Sequence, residues 1–346
     1  MRSNQFYFLL ISLLSKSILA LSISTYNIEN YGAAGFYYNE IEDPFTLIGE
    51  ISKLKSDLII LQEVSDPNKL LTDLAITPGY NFGDYGVRFS KYGGGGRQRL
   101  AFLYKTKRLS LLSTKEDFAL TRTSNRDRSK CHYASLGEVP TREEIEGFKS
   151  YRGKLVTKCG RSRPAFIGYF KDKKTNQTIT AIAVHLKSGG GEKNIAKRDY
   201  QFETLREIVN YERITTPNVV VGGDFNTVDF IDRTSSEYSK HSNFAKQADM
   251  TFVDDSMPEE SRCSSYWDGG DLNQFNYKAG FLDHILVTND FMFNYTYDTS
   301  ITGAHCNSLE NMCSPETFAS FLEPTHSQAS DHCPVTAFFN DPSSRR

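Results

Sequence analysis

The stretch that most constrains this chain is residues 218–227, NVVVGGDFNT, where three Val run into two Gly and then Asp224, Phe225 and Asn226. A continuous β-branched run fits a strand covered on both faces, and Gly222 and Gly223 permit the tight backbone that a following loop needs. Asp224 and Asn226 stand two residues apart, so in an extended chain they point the same way. Such a carboxylate and amide can bind a cation or orient a water. Asp and Asn also form ordinary turns, so the rest of the chain must decide between a site and a turn.

On both sides of that stretch, strand patterns alternate with helix patterns. Residues 21–28 alternate apolar and polar and end in Asn27, Glu29 and Asn30. Asp43 and Pro44 open a helix with Leu47, Ile48, Ile51 and Leu54 on one stripe. Residues 57–64, DLIILQEV, form an apolar strand ending in Gln62 and Glu63. Asp66 and Pro67 start a short helix with Leu70, Leu71 and Leu74 inward. Residues 97–105 read as a strand, 163–170 and 177–186 as a strand pair, and 192–214 as a helix. Residues 228–280 read as short helices and loops. Residues 281–288 form a strand holding Asp283, and Asp331 and His332 lead into the last strand. This order predicts an α/β fold. The four Gly at 93–96 precede a strand and lack phosphate-loop spacing, which predicts a surface loop.

Composition bounds the function. With 39% hydrophobic and 24% charged residues over 346 positions, the chain is globular and wholesale disorder is excluded. Net charge is only -2, so a polyanion must meet a local basic patch. One exists: residues 121–163 hold 11 Lys or Arg against 5 acids, which reads either as a solvated loop or as a polyanion-contacting insertion.

Residues 1–20 have the shape of a signal peptide, with Arg2 ahead of an apolar segment and Ala20 at the end. That leaves one domain over 21–346 and predicts a secreted or periplasmic protein. Six Cys behind an export signal predict disulfides, and 15 pairings are open. Proximity suggests Cys131 with Cys159 and Cys306 with Cys313, leaving Cys263 with Cys333. No C-x-x-C spacing supports zinc.

Several strands end in a chemically capable side chain: Asn27, Glu63, His185, Asp224 with Asn226, Asp283, and Asp331 with His332. Strand ends converge on one edge of a layered sheet, where ligands bind. Oxygen donors with two His and no thiolate suit a hard divalent cation and acid-base work on a phosphate ester. The blocks STYNIENYG, LIILQEV, RLAFLYK, RSRPAFIGYF, AVHLKSGG, VVVGGDFNT, FLDHILVT and SDHCPV, in this order, resemble the endonuclease/exonuclease/phosphatase superfamily and within it the deoxyribonuclease I-like secreted nucleases.

The resemblance implies a four-layer α/β sandwich, two mixed sheets flanked by helices, with the site at one edge. It implies Glu63 as a metal residue with Asn27 beside it and Asp331 near the metal or phosphate, the ion being Mg2+, or Mn2+ or Ca2+ in its place. Asp224 and Asn226 are implied at the scissile phosphate, the attacking water or a metal. His332 is implied as general base with Asp283 orienting it, and His185 as general acid or as an electrophilic donor to phosphate. Arg163, Gln98 and Lys187 are implied substrate contacts. Two departures stand out. Gln98 occupies the place where deoxyribonuclease I-like members have a Glu to orient the first His. Ser65 follows LQEV where they have an Arg that reaches the minor groove.

Three readings stay open at this level. The leading one is a metal-dependent endonuclease acting on DNA, and on RNA as a second polyanion, as a monomer without stable membrane association. The others are a phosphodiesterase or phosphatase acting on lipid or inositol phosphates, and an inactive binding or toxin subunit of the same fold.

Overall fold

The central strands are apolar on both faces because each lies between two layers. The structure, a computed structural model, describes residues 21–33, 44–77, 82–94, 98–123, 149–151, 154–156, 162–227, 235–257, 262–267, 278–294, 296–302 and 329–340. Along the chain come β1 (Leu21–Asn27), helix α1 (Pro44–Leu54), β2 (Leu58–Val64), helix α2 (Pro67–Ile76), β3 (Tyr85–Phe89), β4 (Arg99–Lys105) and β5 (Leu109–Asp117). Then follow β6 (Ala165–Asp172), β7 (Thr178–His185), helix α3 (Glu192–Arg213), β8 (Val219–Asp224), helix α4 (Ser236–Gln247), β9 (Met250–Phe252), β10 (Asp283–Thr288), helix α5 (Asn289–Asn294), β11 (Thr296–Thr302) and β12 (Val335–Asn340).

The strands form two six-stranded mixed sheets, one in the order β11-β12-β1-β2-β4-β3 and the other β9-β10-β8-β7-β6-β5. In the first, β1 and β2 run parallel, with antiparallel neighbours on both sides. In the second, β7 and β8 are the parallel pair.

The period of two then sorts side chains between layers. Leu21, Ile23, Leu58, Ile60 and Phe102 of the first sheet share one core with Ile167, Ala181, Val220 and Ile285 of the second. The opposite face of the first sheet, with Tyr26, Ile59 and Leu61, packs under Leu47, Ile48 and Ile51 of α1 and Leu70 and Leu74 of α2. Phe202, Leu205, Ile208 and Val209 of α3 and Phe244 of α4 cover the second sheet. Each such residue, once fully buried, contributes about 1.5–3 kcal/mol. The result is the four-layer α/β sandwich.

Local chemistry sets the boundaries. Asp66 caps α2, its carboxylate accepting from the amides of Asn68 and Lys69 at 3.0 and 3.1 Å, with Pro67 in the first turn. Leu71 departs from the inward assignment: it is 43% exposed, because Leu70 and Leu74 are four apart and already fill the buried stripe. Four of these strands are not anticipated by the sequence patterns, namely β3, β5, β9 and β11.

Among the described residues no helix is long and apolar enough to cross a membrane. Residues 1–20, most of the basic insertion, and Cys131, Cys159, Cys306 and Cys313 lie outside the described residues. So do the pairings that involve those four Cys. Cys263 and Cys333 are fully buried, and neither is a free thiol. Within the insertion, Lys149–Tyr151 and Lys154–Val156 pair as a short antiparallel hairpin.

Candidate active site

The register of the second sheet builds one wall of the site. Asp224, the last residue of β8, pairs with His185 at the end of β7 on one side and with Asp283 at the start of β10 on the other. All three face the opposing sheet. Gly222, two residues before Asp224 and so on the same face, shows this directly: a Cβ built there would stand 2.7 Å from Ile60 Cδ1 of β2.

The facing sheet supplies the other wall from the ends of β1 and β2. Asn27 follows Leu21, Ile23 and Thr25 onto the inner face. Glu63 reaches that face by a different route. Regular alternation from Leu61 would point Glu63 toward the helices, but a bulge lies between Leu61 and Val64, and Glu63 takes a left-handed φ of 63°. The irregularity turns Glu63 inward. Such a conformation costs of order 1–3 kcal/mol and persists only where the surroundings hold it. Here the Glu63 carboxylate accepts from the Asn30 amide at 3.0 Å, Gln98 Nε2 at 2.6 Å and Asn27 Nδ2 at 3.3 Å.

His332 arrives from the loop before β12. Its backbone is fixed by Ser330, whose hydroxyl accepts from the His332 amide at 3.0 Å and donates to the Asn27 carbonyl at 2.8 Å. Nδ1 lies 2.7 Å from Asp283 Oδ2, so Nδ1–H donates to the carboxylate and Nε2 is left facing the site. Nε2 is 3.4 Å from Asn27 Nδ2, 3.7 Å from Asp331 Oδ1 and 4.0 Å from Asp224 Oδ2. Asp283 is placed in turn by Ser264, whose hydroxyl accepts from its amide at 2.9 Å.

At the centre, His185 Nε2 lies 3.3 Å from Asp224 Oδ2 and 3.5 Å from Glu63 Oε1, and Asn27 Nδ2 donates to Asp224 Oδ2 at 3.0 Å. The second oxygen of Asp224 accepts from the Asn226 amide at 2.8 Å. Asn226 adopts a left-handed φ of 55°, and its Nδ2 donates to the Leu186 carbonyl at 3.3 Å.

These contacts divide the proton affinities. Burial, reinforced by the Asp283 and Glu63 charges and opposed by His332, pushes the Asp224 carboxyl up to about 7. Burial pushes His185 well below the usual histidine range, and Arg163, His332 and Lys187 act in the same sense. For His332 burial acts downward, but Asp283, Asp331 and Asp224 outweigh it and hold the imidazole well above that range.

The remaining expected site residues take distinct places. Asp331 is half-buried beside His332, and its amide donates to Glu29 Oε2 at 3.0 Å. Arg163 and Lys187 flank His185, close enough to act on its charge; burial and the neighbouring cations Lys197, Arg163 and Arg198 push the Lys187 ammonium down. Gln98 is buried and donates to Glu63 and Asn30, which makes it a support for Glu63 rather than a group facing substrate. Nothing replaces the absent Glu at His185: its buried Nδ1 has no hydrogen-bond partner among the described residues. Sequence reasoning did not find Asn30, Ser264 or Ser330. Asn30 and Ser330 lie within the YNIEN and SDHCPV blocks and could have been weighed, whereas Ser264 carries no local signal.

Glu63, His185 and Asp224 each offer a ligand atom within 4.8 Å of the others. The donors fit a divalent cation. Two carboxylates and an imidazole crowd together, and Asp224 resists ionising without a compensating positive charge.

Comparison with known proteins agrees with the fold. No curated protein matches the chain in sequence. Among solved structures, the human Nocturnin catalytic domain with bound sulfate anion is 14% identical with a TM-score of 0.56, covering 93% of this chain and 94% of its own. Truncated Caenorhabditis elegans TDP2 is 14% identical with a TM-score of 0.54, covering 93% and 98%. D. rerio TDP2 complexed with single strand DNA product is 14% identical with a TM-score of 0.56, covering 93% and 99%. At these identities the likeness establishes the fold. The sequence model of the Endonuclease/Exonuclease/phosphatase family, whose members are typically metal-dependent phosphodiester hydrolases, matches residues 24–332, and the chain belongs to that family.

Proposed function

We propose that this protein is an exported, divalent-metal-dependent nuclease that hydrolyses phosphodiester bonds of DNA. The observation that carries the reading is the convergence of Glu63, His185 and Asp224 beside a His332–Asp283 pair, drawn from the ends of strands in two facing sheets. Glu63 would hold the cation, Mg2+ in the first instance, with Asp224 and His185 as neighbouring donors. When bound, the ion supplies positive charge against the negative charge that builds on the phosphate.

The chain's own groups then divide the proton work. His332, kept protonated by Asp283, Asp331 and Asp224, presents Nε2–H to a phosphate or leaving-group oxygen and is the donor. The sequence-based assignment of His332 as base needs the form these carboxylates disfavour. Asp224, whose carboxyl burial pushes up in the absence of a cation, would be ionised beside the bound cation and is the acceptor for the proton of the attacking water. His185 stays neutral, and Asn27 fixes the Asp224 carboxylate through Nδ2.

A nucleic acid fits the surroundings. Arg163 and Lys187 flank His185, Lys197 stands near Lys187, and the 121–163 segment adds its excess of Lys and Arg. Phosphate neutralisation by such cations supplies most of nucleic-acid affinity. That D. rerio TDP2 was solved with a single strand DNA product is consistent with a DNA substrate for this chain. Export is supported by the pattern of residues 1–20 and by the absence of free thiols at Cys263 and Cys333. Nicking of circular plasmid by the purified protein in Mg2+, abolished by EDTA, tests the reading. Release of phosphate or phosphocholine from lipid vesicles, with plasmid left intact, would replace it with the lipid phosphodiesterase.

A further inference from the structure

The buried face of α3 carries polar groups where apolar ones would serve packing alone. Arg198 is 0% exposed, and its guanidinium is split between two tasks. Nε and Nη2 face Glu237 Oε1 of α4 at 2.9 and 2.8 Å, while Nη1 donates to the carbonyls of Lys187 at 3.0 Å and Gly189 at 2.7 Å. Three residues on, Gln201 is also 0% exposed. Its Oε1 accepts from the Lys187 amide at 2.9 Å, and its Nε2 donates to the Leu120 carbonyl at 3.0 Å. Both backbone groups of Lys187 are therefore held by one helix.

The far end of the loop they hold is tied to the start of the same helix, Asn194 Nδ2 donating to the Gly190 carbonyl at 3.1 Å and the amides of Asn194 and Ile195 to the Gly191 carbonyl at 3.0 and 3.1 Å, while the Lys187 ammonium donates to the Ser188 carbonyl at 2.6 Å. Residues 188–191 are exposed, and a Cβ built at Gly190 or Gly191 would find no atom within 4 Å. Gly189 and Gly191 take φ values of 96° and 83°, which leaves the segment to glycine conformational freedom. Just before it, Leu186 donates its amide to the Asp224 carbonyl at 2.9 Å and accepts from Asn226 Nδ2 at 3.3 Å. The loop thus lies between α3 and the Asp224–Asn226 turn. A buried Arg–Glu pair gives little net stability over an apolar pair of the same size, so packing alone does not account for it.

We propose that Arg198 and Gln201 are positioning residues, a clamp that fixes the 186–191 loop so that Lys187 presents its ammonium to a substrate phosphate. Because Gln201 also holds Leu120, the clamp ties this loop to the chain that enters the basic 121–163 segment. The proposal rests on the phosphodiesterase reading for its kinetic consequence but not for its structural one.

Three variants test it. Arg198→Lys keeps a positive charge beside Glu237 but loses the fork onto Lys187 and Gly189. Gln201→Met keeps the volume and loses both hydrogen bonds. Tyr169→Phe removes a 2.6 Å hydrogen bond to Glu212 outside the clamp and controls for general destabilisation. In hydrogen exchange, both clamp variants are expected to speed exchange in 186–191 by about tenfold or more, with the central strands still protected and the control unchanged. With plasmid DNA in Mg2+, they are expected to raise KM by about tenfold with kcat within about threefold, as for a lost ground-state phosphate contact. Unchanged exchange in 186–191, or faster exchange spread evenly over the protein, would overturn the clamp, as would a fall in kcat at constant KM. Exchange needs no turnover, so a wild-type protein that cleaves no DNA counts against the phosphodiesterase reading alone, and the exchange result still decides the clamp.

Discussion

Glu63 shows how much rests on one backbone angle. Its left-handed conformation brings a carboxylate to the inner face that regular alternation would have sent to the helices. Glu63→Gln keeps the size and the acceptor that Asn30 and Gln98 use, and removes the charge. Addition of Mg2+ or Mn2+ is expected to raise the melting temperature of the wild type, as binding to the folded state alone must, and to leave Glu63→Gln unmoved. An equal shift in both proteins would place the cation elsewhere. For the pair beyond it, His332→Gln is expected to lower kcat by about 10²–10⁴, the usual contribution of a positioned acid or base, and Asp283→Asn to lower it through a misplaced imidazole. Steady-state kinetics with plasmid DNA checks both, and a kcat within threefold of wild type in His332→Gln would remove it from the chemistry.

Much of this site is legible in the sequence because strand ends are: Asn27, Glu63, His185 and Asp224 stand where a strand pattern stops, and Asp283 and His332 where one begins. Facing is less legible. No local pattern announces the bulge at Glu63. The part played by Gln98 depends on a neighbour 35 positions away.

At the level of elements, the strongly apolar ones are readable and the edges are not. β3 sits at one sheet edge and β5 at the other, and their half-exposed residues dilute the alternation. β9 spans only Met250–Phe252 within a polar stretch. Helices α3 and α4 meet at His241, whose ring stacks on Phe202 with centroids 3.6 Å apart. Burial lowers the proton affinity of His241, against the opposing pull of Asp199 and Glu237, with His284 adding to the lowering.

The sign follows from linkage. A folded value below the unfolded one, about 6.5, means the unfolded chain binds the proton first. The stability His241 contributes is therefore full above pH of about 6.5 and is lost as pH falls from there toward the folded value. His241→Phe keeps an aromatic ring against Phe202 and is expected to melt with a shallower loss between pH 7 and 5 than wild type in thermal denaturation. Parallel curves for the two proteins would show that His241 has no part in acid sensitivity.

The whole molecule is two sheets pressed together so that groups from both meet at one edge, and the sequence order of blocks identifies that arrangement better than any single element does. What the order cannot convey is how closely neighbouring strands and facing sheets approach. A Cβ at Gly223 would fall 2.0 Å from the Val184 carbonyl oxygen, a backbone atom, whereas one at Gly222 would meet the tip of Ile60 at 2.7 Å. Gly222→Ala is expected to cost about 1–3 kcal/mol as overpacking, and Gly223→Ala more, because backbone cannot step aside. Urea denaturation gives both values, and the reverse order would contradict this account of the sheet interior.

The central claim, that these facing strand ends make a metal-assisted phosphodiesterase site acting on nucleic acid, is tested most directly by plasmid conversion. Wild-type protein, Glu63→Gln and His332→Gln are incubated with circular DNA in Mg2+, with and without EDTA. Nicking by the wild type alone, lost on chelation and reduced at least about a hundredfold in both variants, is the expected result. Wild-type protein that cleaves neither DNA nor RNA in any divalent ion, or that cleaves as well in EDTA, would contradict it.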